Sequence, residues 1–400
     1  MKTLRSLHPA IQTVITSTVL VALGDFLITS LLAVHLRESS GLSGVEIGTI
    51  LTTLVVTQQV LPVVGGALAD RFGRRQLLVL ALALRVVGYL AFAAAGSVAA
   101  FVAAAVLVGA GGAVLAPAIK ALIAEEGGDR VLDGYALRNV AVNVGAALGP
   151  LLGSVMLVWN FDIAFLIAAG AQGGALLLVL RGVPPGPSTA QREAGDVRPA
   201  SLATLVRDGR LVRLTLASIG FWIPYTQLGL SFPLYIESEV DASWIVGVFA
   251  AANAALCVLL QTPVLGRASR AFGYSALLPA GMASVAAGFL CLAALPVLIG
   301  AGVFVVLFSL GEILVLTTLD TATGGLAPAG GSGAYFGFGA LGWAAGALLG
   351  GTIGGAVYDA AASEGALRLV WLGYAAIALG AGAALWAASR PAWRTLRQPA

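Results

Sequence analysis

The chain has 400 residues, 59% of them apolar and a further 52 glycine, while only 10% are charged. Soluble globular proteins carry roughly 25% charged residues, so a soluble enzyme is excluded. The net charge of +3 comes without a basic stripe long enough to follow a phosphate backbone, which excludes a nucleic-acid binder.

From the N-terminus, Lys2 and Arg5 precede an apolar stretch from Ala10 to Leu36. That stretch is too long for the hydrophobic region of a cleaved signal and reads as an uncleaved first span. A bilayer-crossing helix needs about 20 mostly apolar residues. On that measure the sequence predicts twelve spans, near 11–35, 45–69, 76–95, 98–124, 135–158, 162–181, 211–236, 243–266, 275–295, 297–327, 333–358 and 366–389. One long polar segment interrupts them, Gly182 to Asp208, with Pro184, Pro185, Pro187 and Pro199 among mixed charges; this composition is that of a linker. The expected organisation is an all-α membrane protein with a six-helix bundle in 1–181, a linker in 182–208 and a second six-helix bundle in 209–400.

The two halves echo each other. Gly66, Phe72, Gly73, Leu77 and Leu78 recur 200 residues later as Gly266, Phe272, Gly273, Leu277 and Leu278. Gly145, Gly149 and Gly153 recur at an offset of 197 as Gly342, Gly346 and Gly350. Two sets at nearly one offset predict a parallel internal repeat, as in transporters whose two bundles rock around a central site. Cytoplasmic loops retain Lys and Arg. With the N-terminus inside, nineteen of the 22 basic residues fall on the cytoplasmic side, Arg37 and Arg368 fall outside, and Arg85 lies within the third span. Both termini are therefore expected in the cytoplasm.

Cys257 and Cys291 lie in apolar runs without a CxxC spacing and read as small buried residues. His8 and His35 are the only histidines, too few for a histidine metal cluster, so neither a metal nor a cofactor is expected. Lysine is confined to Lys2 and Lys120 while arginine abounds, a compositional pointer to a GC-rich bacterial genome.

After the second span runs Gly66-Ala-Leu-Ala-Asp70-Arg71-Phe-Gly73-Arg74-Arg75. Glycine permits a tight turn, and Asp70 beside three arginines makes a compact charge cluster at the membrane surface. This loop resembles the signature of the major facilitator superfamily. The resemblance implies a twelve-helix fold of two pseudo-symmetric bundles, and a gating role for Gly66, Asp70, Arg71, Gly73 and Arg74 in which the aspartate steadies one of two alternating conformations. The second copy has Arg270 where the first has Asp70, so the gate is expected to be asymmetric. In the fifth span, Arg138-Asn139-x-x-x-Asn143-x-Gly145-x-x-x-Gly149-Pro150-x-x-Gly153 places small residues at every fourth position, which lets helix backbones approach. It resembles the motif of proton-coupled exporters in the same superfamily and implies efflux by antiport. The fourth span lacks the arginine that many drug–proton antiporters carry, reading Gly109-Ala-Gly111-Gly112 instead; Arg138 is the candidate to supply that charge.

A charge at the bilayer centre costs about 2.5–3.5 kcal/mol even on a lenient scale, which makes intramembrane ionisable groups functional candidates. Asp25, Glu312, Asp320 and Arg138 are the proton-coupling candidates, Glu312 foremost because it sits alone mid-span. Arg85 is expected to snorkel or to form a structural ion pair. Gln58, Trp222, Tyr225, Gln227, Asn253 and Trp343 are the candidates to shape a substrate cavity, mostly apolar with a few acids, suited to lipophilic cations. With no Walker A loop, the function expected is proton-driven export of small amphiphilic or cationic compounds by a monomer in the bacterial plasma membrane, with protons, substrate and lipid as its partners. The competing readings are an exporter dedicated to one natural product or siderophore, a proton-coupled importer, and a lipid flippase.

The charge count makes a topological prediction. On a background lacking Cys257 and Cys291, a cysteine at Gln191 should resist an impermeant maleimide added to intact cells, while cysteines at Glu239 and Ser363 should react. Labelling at Gln191 from outside would overturn the orientation.

Overall fold

The computed structural model describes residues 7–69, 74–126, 131–185, 202–240, 242, 244–272, 274–327 and 332–396. Among them the chain is helical, with no strand. In chain order the helices are α1 (Pro9–Thr29), α2 (Leu32–Ser40), α3 (Gly44–Ala69), α4 (Arg74–Ala94), α5 (Val98–Glu126), α6 (Val131–Trp159), α7 (Asp162–Gly182) and α8 (Leu202–Arg207). They continue as α9 (Gly209–Thr226), α10 (Ser231–Glu239), α11 (Trp244–Phe272), α12 (Tyr274–Ala294), α13 (Val297–Leu326) and α14 (Ser332–Leu348). A π-helical turn, Leu349–Ile353, then leads into α15 (Gly354–Ser363), and α16 (Leu367–Leu396) closes the chain. Among the described residues 11 helical segments are long and apolar enough to cross a membrane. Large apolar side chains such as Leu259 and Leu369 stand exposed on them, as a lipid-facing surface requires.

Two predicted spans are broken. The first bends between α1 and α2, and the seventh between α9 and α10; each break is followed by a helix of nine residues. Apolar composition runs through both breaks, so hydropathy alone does not reveal them. At the second break the fully buried Gln227 braces the chain: its amide nitrogen donates to the carbonyls of Ile223 (3.0 Å) and Gly350 (2.8 Å), and its oxygen accepts from the Ser231 hydroxyl (2.7 Å).

The chain groups into two compact units. The first comprises Met1–Gly41, Thr53–Ala194 and Ser243–Ala251. The second comprises Leu42–Thr52, Gly195–Ala242 and Ala252–Ala400. In the first, α1 packs on α6 and α7, and α4 on α5 and α7. In the second, α9 packs on α14 and α16, and α12 on α13 and α16. The same pairing scheme thus occurs twice, in the order that the sequence repeat implies.

The repeated glycines make these pairings close. A methyl group on Gly145 would sit 2.5 Å from the Ala22 side chain, one on Gly149 2.7 Å from the Leu27 backbone, and one on Gly153 2.5 Å from the Leu27 carbonyl. Gly342, Gly346 and Gly350 meet Thr215, Trp222 and Ile223 of α9 in the same way. Helix association in lipid depends on such van der Waals contact, because lipid tails are as apolar as leucine.

Within the second unit the first turns of α3 lie against α15 and the π turn. Gly44 abuts Gly355 and Gly48 abuts Gly351; the Asp359 carboxylate accepts from the backbone N–H of Gly44 at 2.5 Å, capping the helix start. The Thr52 hydroxyl donates to the Ala347 carbonyl at 2.8 Å. A π turn leaves carbonyls out of the usual ladder, and the side chains of Thr52 and Gln227 supply donors at this one. Below α9, Asp208 caps the helix by accepting from the Arg210 N–H at 3.0 Å. Partial burial alone would raise its carboxyl, but Arg210 and the Tyr335 hydroxyl (2.9 Å) donate to it and bring it below the usual carboxylate range.

Overpacking a tight site costs about 1–3 kcal/mol. Gly149→Ala and Gly346→Ala should each lower the thermal unfolding midpoint in detergent, whereas Gly173→Ala, with open space around it, should not. Equal midpoints for all three variants would mean that the glycine stripes do not set the packing.

Candidate functional site

Among the described residues, two clusters of polar side chains surround acids inside the apolar helices. In the first unit Asp25 of α1 forms an ion pair with Arg85 of α4. The Tyr89 hydroxyl (2.7 Å) and the Gln172 amide (3.1 Å) also donate to the same carboxylate oxygen, Oδ1. Arg85 Nε in turn donates to Gln172 Oε1 at 3.3 Å. Arg85 is 3% exposed, Tyr89 1% and Gln172 0%. The guanidinium finds room because the facing stretch of α5 has no side chains: a methyl on Gly111 would collide with Arg85 Cγ, and one on Gly112 would lie 3.0 Å from Nη1 and 3.1 Å from Gln58 Cδ. The glycines at the place of the missing α5 arginine therefore admit an arginine from α4. Arg138, the candidate for that part, donates to its neighbour Asn139 (3.3 Å), and among the described residues its Nε has no partner. The basic group that lies against those glycines is Arg85 of α4. Asp25 is not a lone acid, and Arg85 is the structural ion pair expected as one of its two readings.

In the second unit Glu312 stands near the middle of α13. The Tyr225 hydroxyl donates to Oε1 at 3.0 Å. At Oε2, Asn253 Nδ2 donates at 3.1 Å and the Cys257 thiol at 3.5 Å. Asn253 also donates to Ser309 Oγ at 2.9 Å. Among the described residues no cation pairs with Glu312. Cys257 is thus more than an apolar filler, because its thiol is one of the three donors. Beside this cluster, Trp222 of α9 and Trp343 of α14 stack with centroids 4.8 Å apart, and together with Tyr225 and Asp320 they line a hollow.

The remaining sequence candidates divide as follows. Asn253 serves Glu312, and Gln227 braces the α9–α10 break rather than lining the hollow. Gly145, Gly149 and Gly153 press on α1, and the Pro150 carbonyl lies where a methyl on Gly247 would come within 2.6 Å. Asn143 is half-buried on α6. Gly66 and Arg74 fall near the ends of α3 and α4; Asp70, Arg71 and Gly73 lie outside the described residues. Sequence reasoning missed Tyr89 and Gln172 as partners of Asp25 and Cys257 as a partner of Glu312. Gln172 carried a signal, a lone amide in the apolar run of α7, and so did Tyr89, one helical turn from Arg85.

The family model of the Major Facilitator Superfamily matches residues 14–351. The chain belongs to this superfamily. Within it, the chain is 30% identical over 356 residues to the multidrug resistance protein MdtH of Aeromonas salmonicida, covering 89% of each. With MdtH of Klebsiella pneumoniae it shares 27% over 370 residues, 92% of this chain and 91% of that one. Among solved structures it is similar to the nucleoside transporter NupG, with a TM-score of 0.82 at 13% identity over 95% of this chain and 99% of that one. The peptide-transporter-family protein PepTSo gives 0.80 at 16%, over 96% and 98%. These two likenesses show the superfamily's fold. The protein is a transporter, not an enzyme, and a multi-pass protein of the bacterial inner membrane.

Removing one partner of a buried ion pair costs about 3–5 kcal/mol. Arg85→Met should fall at the lower end of that range, because the Asp25 side chain keeps 29% exposure. Adding Asp25→Asn to Arg85→Met should recover most of the loss in thermal stability. A double variant no more stable than Arg85→Met would show that the two charges do not depend on each other.

Proposed function

We propose that this transporter exports small amphiphilic or cationic compounds in exchange for protons, by alternating access, and that Glu312 carries the coupling proton. The observation behind this reading is the contrast between the two acids. Asp25 has a permanent counter-charge in Arg85 and needs no proton to remain in an apolar surrounding. Among the described residues Glu312 has neutral donors, from Tyr225, Asn253 and Cys257, so its charge is cancelled when a proton or a positively charged substrate arrives. A group that must alternate between those two partners is what antiport requires.

The direction of transport rests on the relatives named as multidrug resistance proteins, similar over nearly the whole chain. In this reading the bundles of residues 1–181 and 209–400, joined by the cytoplasmic linker 182–208, exchange access to the two sides while both termini stay in the cytoplasm. The loop motif from Gly66 to Arg74 governs that exchange, the Gly145–Gly153 stripe holds α1 against α6, and the unit of function is the monomer.

The test is substrate-induced proton release and gradient-driven efflux in proteoliposomes. Glu312→Gln keeps the shape of the side chain and removes the titrating group; it should abolish both signals while neutral-substrate binding stays measurable. Asp25→Asn should affect efflux less. If Glu312→Gln moves substrate against a gradient at the normal rate with normal proton release, the coupling group lies elsewhere.

A further inference from the structure

Among the described residues two helices belong to both compact units. The first turns of α3, through Thr52, group with the second unit and the rest of that helix with the first; α11 runs the other way, through Ala251 with the first unit and from Ala252 with the second. The early part of α11 is seated on α6. Gly247 is buried there, and a methyl group on it would sit 2.5 Å from Ser154 Cβ and 2.6 Å from the Pro150 carbonyl. The later part reaches Glu312, where Asn253 Nδ2 donates to Oε2 at 3.1 Å and the Cys257 thiol at 3.5 Å. No glycine or proline stands between Gly247 and Cys257, so this stretch moves as a stiff rod. Asn253 is six residues from the seat, about 9 Å along the helix. Pro263 lies beyond Cys257, where the missing backbone N–H lets the helix bend.

The two acids differ in where their partners come from. Arg85, Tyr89 and Gln172, which hold Asp25, stand on α4 and α7, and both helices lie wholly in the first unit with Asp25 itself. Around Glu312, Tyr225 of α9 lies in the second unit, but Asn253 and Cys257 stand on the crossing helix. On its own helix Ser309 accepts from Asn253 at 2.9 Å, and the other acid of α13, Asp320, is eight residues on, about 12 Å away. Helix α12 brings Val285 and the Gly281 backbone to Gly311, neither of them ionisable. A side-chain hydrogen bond is gone once donor and acceptor are about 3.6 Å apart, so a shift of α11 by about 1 Å withdraws both of its donors.

We propose that Asn253 and Cys257 are positioning residues through which α11 ties the proton on Glu312 to the seat of Gly247 on α6. While Gly247 is seated, the amide and the thiol hold the carboxylate in its charged form and the proton leaves. When the seat opens, α11 carries both donors away, Tyr225 alone remains, and the acid takes a proton. Asp25 has no such link, because no helix that holds it crosses. In the expected orientation α11 starts at the outer face. The seat then opens together with access from outside, and the proton taken up there is released to the cytoplasm, as an inward gradient drives it. The inference rests on the reading of Glu312 as the coupling acid and adds the element that tells this acid which side is open.

The test is an infrared titration of the full-length protein in liposomes, without substrate. The carboxylic-acid C=O band that the native protein shows and Glu312→Gln lacks belongs to Glu312, and its midpoint pH is the readout. Removing both donors in Asn253→Ala/Cys257→Ala should move the midpoint to higher pH by about one unit, the worth of a hydrogen bond to a charged group. Cys257→Ser, which keeps a donor, should move it by less than a third of that. Gly247→Ala, which pushes α11 off α6, should shift the midpoint in the same direction by at least half as much, and should add nothing once both donors are gone. Gly302→Ala, on α13 with open space around it, should leave it in place. Should Gly247→Ala not fold, Ser154→Val enlarges the other wall of the same seat. A native midpoint in the seat variants, an equal shift by them without the donors, or a native midpoint in Asn253→Ala/Cys257→Ala would each overturn the proposal. If Glu312→Gln removes no band at any pH, the coupling acid and this proposal fall together. If the band shifts as expected but Glu312→Gln exchanges protons normally, the coupling acid falls alone.

Discussion

An ionised carboxylate inside a hydrocarbon layer has to be neutralised, and the two units of this protein meet that demand differently. In the first, Asp25 is held by Arg85, Tyr89 and Gln172, a set whose members are themselves almost wholly buried. In the second, Glu312 has a phenol, an amide and a thiol, which solvate a charge without cancelling it. Much of the surrounding architecture follows from this difference. The glycines of α5 exist in a form that gives Arg85 its path, and Asn253 and Cys257 are one turn apart on α11 so that both reach the same carboxylate oxygen.

The second organising constraint is close backbone approach. The stripe Gly145, Gly149, Gly153 resembles an exporter motif, yet its counterpart Gly342, Gly346, Gly350 presses α14 and the π turn against α9 in the same manner. What these residues do locally is therefore common to both repeats. The second copy lacks the rest of the motif: Tyr335, Phe336, Ala340 and Ala347 stand where the first has Arg138, Asn139, Asn143 and Pro150, so what distinguishes the first copy lies in those residues rather than in the glycine spacing.

The fold was legible in the sequence because lipid imposes long apolar runs, and because the repeat left matched residues at offsets near 200. Glu312 was legible for a related reason, as a lone acid in an apolar run stands out. Pairing was not. Nothing in a single sequence says that position 85 lies beside position 25, only that both are charged and near mid-span. Nor does hydropathy show the breaks before Leu32 and Ser231 or the π turn at Leu349–Ile353, because backbone irregularities there are satisfied by side chains such as Gln227 and Thr52. Gln227 looked like a cavity residue for the same reason that it is a brace: it is a polar group in an apolar stretch, and only its partners tell the two apart.

The ring of neutral donors around Glu312 also has an electrical consequence. If a proton and a monovalent cation occupy this region in turn, the charge carried by the moving protein is the same on both legs of the cycle. One-for-one exchange is then electrically silent. The membrane voltage, worth about 2.3 kcal/mol per charge per 100 mV, would do no work on such a substrate, and the pH difference alone would set the limit of its extrusion, tenfold for each pH unit. An uncharged substrate would be different, because each turnover would then bring one net positive charge inward and voltage would add to the drive. The same site would thus expel neutral compounds more steeply than cations from a polarised cell.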